Sequence, residues 1–99
     1  NNQLTAQERV SARIIHKSLL GGLELFRSGE YVADNIRDSV LGILLSELKQ
    51  EQIEYISIVD PDTFEDLQNL KGTSLILVSV RFGKVRLIDN LALNQLALG

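Results

Sequence analysis

Four basic side chains in the first third of the chain recur at intervals of three and four residues, the spacing of one helix face. They are Arg9, Arg13, His16 and Lys17. A row of cations of this kind can bind phosphate groups, and Arg81, Lys84 and Arg86 around a later turn are candidates to extend the same basic surface. A solvated helix face has the same pattern, and the residues alone favour that simpler interpretation.

Other residue types that often carry chemistry lack the partners they need. His16 is the only histidine, and no carboxylate occupies a helical neighbour position, so we expect a surface histidine. Asp60, Asp62, Glu65 and Asp66 lack the spacing and the central glycine of a calcium loop, so we expect a solvated turn. No nucleophile elbow and no phosphate-binding glycine loop is present. The sequence predicts no catalytic residue and no metal ligand.

Composition bounds the class of protein. A chain of 99 residues with 44% hydrophobic and 23% charged residues fits one globular domain. The longest apolar runs fall far short of the ~20 residues of a membrane span, and the net charge of −3 argues against a nucleic-acid binder. The absence of cysteine fits a cytoplasmic location. Methionine is absent even at position 1, so we expect a piece of a longer protein.

Two helices are predicted in the first half. Thr5 and Glu8 have the spacing of a capping box, and Gly29 is a suitable stop for the helix that follows. Gly21 and Gly22 lie inside this helix and predict either the close approach of another element or a bend. The buried stripe of the first helix is predicted to be Ala12, Ile15, Leu19, Leu23 and Phe26. A second helix over residues 33–49 would bury Ile36, Val40, Ile43, Leu44 and Leu48.

Three strands are predicted in the second half. Residues 53–59 form the first strand, which Pro61 ends, and residues 63–70 have the composition of a short helical turn. A hairpin follows, with a first strand that is apolar on both faces and a short second strand over residues 85–88 that stops at Asp89 and Asn90. Residues 91–99 are then a terminal turn of helix or a frayed tail. The order predicts an α+β fold, two main helices packed on one face of a three-stranded antiparallel β-sheet.

Three segments resemble the C-terminal domain of the pantothenate synthetase (pantoate–beta-alanine ligase) family. Residues 1–9 resemble the stretch that follows the family's Ser-Ser-Arg-Asn nucleotide loop, with Asn1 at the final Asn. Residues 53–64 are similar to its "Asp-Tyr, hydrophobic strand, Asp-Pro-x-Thr-Leu" segment, with Glu54 for the Asp and Phe64 for the Leu. Residues 75–90 resemble its "apolar strand, Gly turn, Arg-Leu-Ile-Asp-Asn" ending. The resemblance extends from Asn1 to about Leu91.

The resemblance implies a part in pantothenate biosynthesis. Such an enzyme uses ATP and Mg²⁺ to convert pantoate to an adenylate, which beta-alanine attacks. The family's N-terminal nucleotide-binding domain holds pantoate, beta-alanine and most of the ATP contacts, and its C-terminal domain closes as a lid. The family is usually a cytoplasmic homodimer, and nothing in it implies a nucleic-acid or membrane partner.

This chain departs from a complete family member because it lacks the N-terminal domain. No catalytic residue therefore carries over, and we expect the isolated chain to be inactive. The candidate ATP-binding residues are Asn1, at the end of the nucleotide loop, and Arg9 and Arg13, on the basic stripe. The alternative is an independent protein-interaction module, which a start codon close to Asn1 would favour.

Overall fold

The computed structural model describes residues 6–94 and confirms the α+β fold. Helix α1 spans Ala6–Arg27 and helix α2 spans Ala33–Leu45, and a 3-10 turn at Gln50–Gln52 leads into the sheet. The strands are β1 (Ile53–Val59), β2 (Ser74–Phe82) and β3 (Val85–Leu93). They form one antiparallel sheet in the order β1-β2-β3. No helix in the described part of the chain has the length and apolar character needed to cross a bilayer.

Helix α1 packs on the sheet through the predicted stripe and through its glycine pair. Ile15, Leu19 and Phe26 are at most 2% exposed, whereas Ala12 and Leu23 are half-buried. A Cβ added to Gly22 would lie 2.9 Å from Ile76 Cδ1 and 3.0 Å from Val40 Cγ2, and one added to Gly21 would collide with Ile43 Cδ1. The glycines therefore mark a close approach of α2 and β2, as one of the two interpretations predicted.

The end of α1 also agrees with the sequence. Gly29 follows the last helical turn with φ +113°, a conformation that only glycine adopts easily, and its N–H donates to Phe26 O at 3.0 Å. The predicted cap at Thr5 lies outside the described residues.

Helix α2 is shorter than predicted, because it ends at Leu45 and not at Lys49. The Ser46 hydroxyl donates to Ile43 O at 2.6 Å, and the Ser46 N–H donates to the same carbonyl at 3.2 Å, which tightens the last turn. Leu48 is nevertheless buried, at 8% exposure, because the turn folds it back onto the core. Of the predicted α2 stripe, only Ile43 is left half-buried.

The prediction of a short helical turn over residues 63–70 is wrong. This segment is irregular and pairs only through two isolated bridges, Val59 with Asp66 and Val32 with Asn69. Phe64 explains the difference, since its φ of +61° lies in the left-handed region and cannot continue a right-handed helix. The single turn in which Asp60 Oδ1 accepts the N–H groups of Asp62 at 2.8 Å and Thr63 at 3.1 Å therefore goes no further.

Strand β3 is longer than predicted, because it runs through Asp89 and Asn90 to Leu93. Asp89 pairs with Val78 and Asn90 with Leu77, and the pairing continues to Leu93 opposite Ser74. The turn preference of Asp and Asn is overridden by the nine-residue β2, which offers a ladder for the whole length of β3. Residues 91–93 are therefore strand and not a turn of helix, and residues 95–99 lie outside the described part.

The sheet has one covered and one open face. Ile58, Ile76, Val78 and Val80 point toward the helices and are fully buried. Strand alternation places Leu75, Leu77, Ser79 and Arg81 on the opposite face, which no described helix covers. On this open face Ile88 is 56% and Tyr55 42% exposed.

Candidate functional site

The predicted basic stripe lies on the solvent face of α1, away from the buried stripe that holds the helix on the sheet. Arg9, Arg13 and Lys17 occupy successive turns and are exposed. His16 is also exposed, as the sequence predicted. The stripe borders a cleft of about 690 Å³ between α1 and the turn that follows α2. Val10 and Leu20 are among its apolar walls, and Glu47 is on its far side.

The charges of this stripe are not balanced within the domain. Among residues 6–94, no carboxylate lies within ion-pair distance of Arg9, Arg13 or Lys17. Exposed cations without a carboxylate partner can accept a phosphate at little cost, because no existing ion pair has to break. Asn1, the third candidate, lies outside the described residues.

The hairpin cations do not extend this stripe. Arg81 and Arg86 pair across β2 and β3 on the open face of the sheet, opposite to the face that carries α1. Lys84 is exposed in the turn of the hairpin. The fold therefore places the α1 stripe and the Arg81–Arg86 pair on opposite sides of the sheet.

Arg81 and Arg86 instead flank Glu54, a site that the sequence interpretation missed. Arg86 Nε donates to Glu54 Oε1 at 2.7 Å and Arg86 Nη2 to Oε2 at 3.1 Å. The Ser79 hydroxyl donates to Oε1 at 2.7 Å, and Arg81 Nε lies 3.5 Å from Oε2. Hydrogen bonds from Arg86 and then Ser79 lower the pKa of Glu54, and the same contact with Glu54 raises the pKa of Arg86.

A register shift in β1 accounts for the position of Glu54. Ile53 pairs with Val80 and Tyr55 with Ser79, so Glu54 is an extra residue between them. Such a bulge re-aims the side chain, and Glu54 meets Ser79 and Arg86 on the open face. Two arginines directly across a ladder repel each other, and the carboxylate offsets that repulsion. The available signal was the break in alternation just after Glu54, where Tyr55 and Ile56 are adjacent apolar residues.

A second cleft, of about 670 Å³, lies along the free edge of β1. Arg37 of α2 reaches over this edge, with Nε donating to Ile56 O at 3.2 Å while its Nη1 contacts the Asp34 carboxylate. The arrangement covers an edge-strand carbonyl with a charged side chain, as natural sheets commonly do. It has the character of edge protection, and the sequence pattern did not indicate it.

The acidic turn after β1 is solvated, as predicted. Asp62, Glu65 and Asp66 are exposed, and Asp60 uses one carboxylate oxygen for two backbone N–H groups. Between residues 6 and 94 no three His, Asp or Glu side chains come close enough together to hold a metal ion.

Comparisons with known proteins assign the chain to a family. The family model for pantoate-beta-alanine ligase matches residues 1–92, so the chain belongs to that family. Pantothenate synthetase of Acetivibrio thermocellus is 40% identical over 90 residues, which cover 91% of this chain and 32% of that protein. The enzyme of Clostridium botulinum (strain Okra / Type B1) is 42% identical over 93 residues, with the same coverage of 91% and 32%.

A solved structure shows the same fold. The crystal structure of pantothenate synthetase from Thermus thermophilus matches with a TM-score of 0.80 and 27% identity, over 92% of this chain and 32% of that one. The chain therefore spans about a third of the length of the relatives that it matches.

Proposed function

We propose that this chain is the C-terminal domain of an ATP-dependent ligase that joins pantoate to beta-alanine. The observation that carries the proposal is the match of one family in both sequence, over residues 1–92, and fold, at a TM-score of 0.80. Because the chain spans about a third of its relatives, the proposal assigns the pantoate, beta-alanine and most ATP contacts to an N-terminal domain of the same polypeptide.

The proposed role of this domain is that of a lid. In the reaction, the pantoate carboxylate attacks the α-phosphorus of ATP and pyrophosphate leaves. The amine of beta-alanine then attacks the acyl carbon and AMP leaves. Water would hydrolyse the adenylate between the two steps, so a domain that closes over the site protects the intermediate. A single core shared by both helices and the sheet supports movement as one rigid unit.

Arg9 and Arg13 are the residues that we propose to face the ATP phosphates when the lid is closed. Arg9 lies in the first turns of α1, where the helix dipole disfavours a cation. A phosphate at this end of the helix would offset that cost, because the helix dipole favours an anion there. Asn1, which resembles the end of the nucleotide loop, precedes this helix by only a few residues.

Mg²⁺ enters this proposal with ATP. The described residues offer no cluster of carboxylates or histidines for a metal ion. The ligands of the ion are therefore assigned to the phosphates and to the N-terminal domain. The proposal also includes a cytoplasmic homodimer joined mainly through the N-terminal domains.

The test compares the isolated chain, the full-length polypeptide and the full-length polypeptide cut before α1, each with pantoate, beta-alanine, ATP and Mg²⁺. We expect pantothenate and AMP in equal amounts from the full-length enzyme and no pantothenate from the isolated chain. Without the lid, AMP should form in excess of pantothenate because the adenylate hydrolyses. Pantothenate from the isolated chain would overturn the assignment of the chemistry to the other domain.

The alternative function is an independent interaction module, which the open face of the sheet favours because Ile88 and Tyr55 remain exposed there. The coding frame upstream of Asn1 separates the two. A long frame with a nucleotide-binding histidine motif and Lys-Met-Ser-Ser-Arg immediately before Asn1 supports the ligase. A start codon close to Asn1 supports the module.

A further inference from the structure

Phe64, in the turn between β1 and β2, combines two properties that nothing inside the domain explains. Its side chain is 61% exposed, the highest value among the large hydrophobic residues that the structure describes. Its φ is +61°, and no other non-glycine residue in residues 6–94 has a positive φ. A bulky side chain is a rare occupant of that conformation. Glycine or asparagine would suit the backbone better, so the backbone conformation alone gives no reason for an aromatic ring at this position.

The turn around Phe64 is held firmly by its own hydrogen bonds. The Phe64 N–H donates to Asp60 O at 2.8 Å, and the Asp60 N–H donates to Glu65 O at 2.9 Å. Asp60 Oδ1 accepts two further N–H groups, and Thr63 Oγ1 accepts the Glu65 N–H at 3.2 Å. The backbone that carries the ring is therefore held in place, and a partner would not have to order the turn on binding.

The charges around the ring define the chemistry of a partner. Asp62, Glu65 and Asp66 are exposed neighbours of Phe64. Aromatic residues at the centre of a patch are frequent anchors of protein interfaces, with polar groups at the rim. The complementary surface is an apolar pocket bordered by lysine or arginine side chains.

We propose that the turn of residues 60–66 docks on the remaining part of the same polypeptide, with Phe64 inserted into an apolar pocket that has a basic rim. This inference rests on the proposed function, because relatives about three times as long as this chain supply the missing domain. A tethered domain has an effective concentration in the millimolar range. A tethered domain would therefore bind the exposed Phe64 ring in preference to a free partner of similar intrinsic affinity.

A second copy of the chain is the main rival occupant. The α1 cleft has a matching chemistry, since Val10 and Leu20 line it beside Arg13 and Lys17. That cleft cannot serve both purposes at once if Arg13 faces ATP in the closed enzyme. The tethered domain is therefore the occupant to which the proposal commits.

The direct test places a photo-crosslinking phenylalanine analogue at position 64 of the full-length enzyme. The control carries the same analogue at Ile88, which is 56% exposed on the open face of the sheet. We expect a crosslink within one polypeptide, mapped to the N-terminal domain, with a several-fold higher yield at position 64. A crosslink between two polypeptides, a yield no higher than at position 88, or no crosslink would each overturn the proposal. Pantothenate synthesis by the same samples reports separately on the proposed function.

A second variant distinguishes docking from a structural role. Phe64→Asn removes the ring and suits a positive φ, so the melting temperature of the isolated chain should stay unchanged or rise. In the full-length enzyme the same substitution should lower the melting temperature, because a docking contact is lost, and Phe64→Tyr should retain it. A loss of stability in the isolated chain, or equal effects in both forms, would contradict the proposal.

Discussion

The two groups of basic residues differ in what balances their charge. Arg81 and Arg86 share the Glu54 carboxylate, with Arg86 at 2.7 and 3.1 Å and Arg81 at 3.5 Å. Within residues 6–94 the α1 stripe of Arg9, Arg13 and Lys17 has no such carboxylate. The hairpin group is complete as part of the fold, whereas the α1 group is available to an outside anion. A row of basic residues in a sequence therefore indicates an anion-binding site only where the fold supplies no carboxylate to pair with those residues.

The largest expected effect is on ATP binding, since it tests the α1 side of the comparison. In the full-length enzyme, replacing Arg9 and Arg13 together with alanine should raise the KM for ATP on the order of 100-fold. This follows because a hydrogen bond to a charged group contributes roughly 1.5–3 kcal/mol, and each 1.4 kcal/mol is tenfold in affinity. Steady-state kinetics measures the change.

The matched control for that variant is Lys71→Ala, which removes another exposed cation, from the loop before β2. It should leave the KM for ATP unchanged. The double variant should also unfold at the same temperature as the parent, because both arginines are exposed on α1. If kcat and KM for ATP are both unaltered by the double substitution, the stripe is a solvated helix face.

The next largest effect is on the stability of the packing of α1, which lies on the face of the sheet opposite Glu54. Gly22→Leu should lower the free energy of unfolding by roughly 1–3 kcal/mol, the usual cost of overpacking a core. The reason is that even a Cβ at Gly22 would lie 2.9 Å from Ile76 Cδ1. Urea denaturation of the isolated chain measures the loss.

Gly42→Ala is the control for this glycine. Gly42 lies within α2 and has no atom within 4 Å of an added Cβ. Alanine there should raise the free energy of unfolding by about 0.5–1 kcal/mol through helix propensity alone. Equal effects at the two glycines would mean that α1 does not approach α2 and β2 as closely as the structure shows.

The sequence predicted those parts of the fold that depend on local pattern. The first strand at Ile53–Val59, the stop at Gly29 and the close approach at Gly21 and Gly22 follow from residue type and spacing. The early end of α2 and the extension of β3 through Asp89 were mispredicted. In both cases a specific partner, the Ser46 hydroxyl bond to Ile43 or the β2 ladder, overrode propensity.

The candidate sites also divide into one that local spacing predicted and one that depends on contacts between distant strands. Helical spacing was enough to place Arg9, Arg13 and Lys17 on one face of α1. It could not show that Arg81 and Arg86 lie on the other side of the sheet with Glu54, because that depends on strand register and on a bulge. Register is set by pairing across the whole sheet, which no local pattern contains.

A smaller effect is the difference in stability between variants of the two hairpin arginines, Arg81 and Arg86. Both side chains are 48% exposed, so the two variants are matched in burial and differ in their contacts with Glu54. Arg86→Gln should lower the urea midpoint of the isolated chain more than Arg81→Gln, since Arg86 makes two hydrogen bonds to Glu54. An equal loss in Arg81→Gln would mean that the positive charge of each arginine stabilises Glu54, and that the two hydrogen bonds from Arg86 add nothing.

The smallest effect is the pH dependence that Glu54 gives to folding. Its pKa in the folded chain is lowered from an ordinary value of 4.5, chiefly by Arg86 and Ser79. The unfolded chain therefore binds the proton more readily, so the contribution of Glu54 is present above the ordinary pKa. It is lost as the pH falls through the lower, folded value. Urea midpoints of the parent and of Glu54→Gln should differ at pH 7 and converge on acidification below 4.5. A constant difference across that range would show that Glu54 stabilises the hairpin by packing. The charge of Glu54 would then not be what distinguishes the hairpin arginines from the α1 stripe.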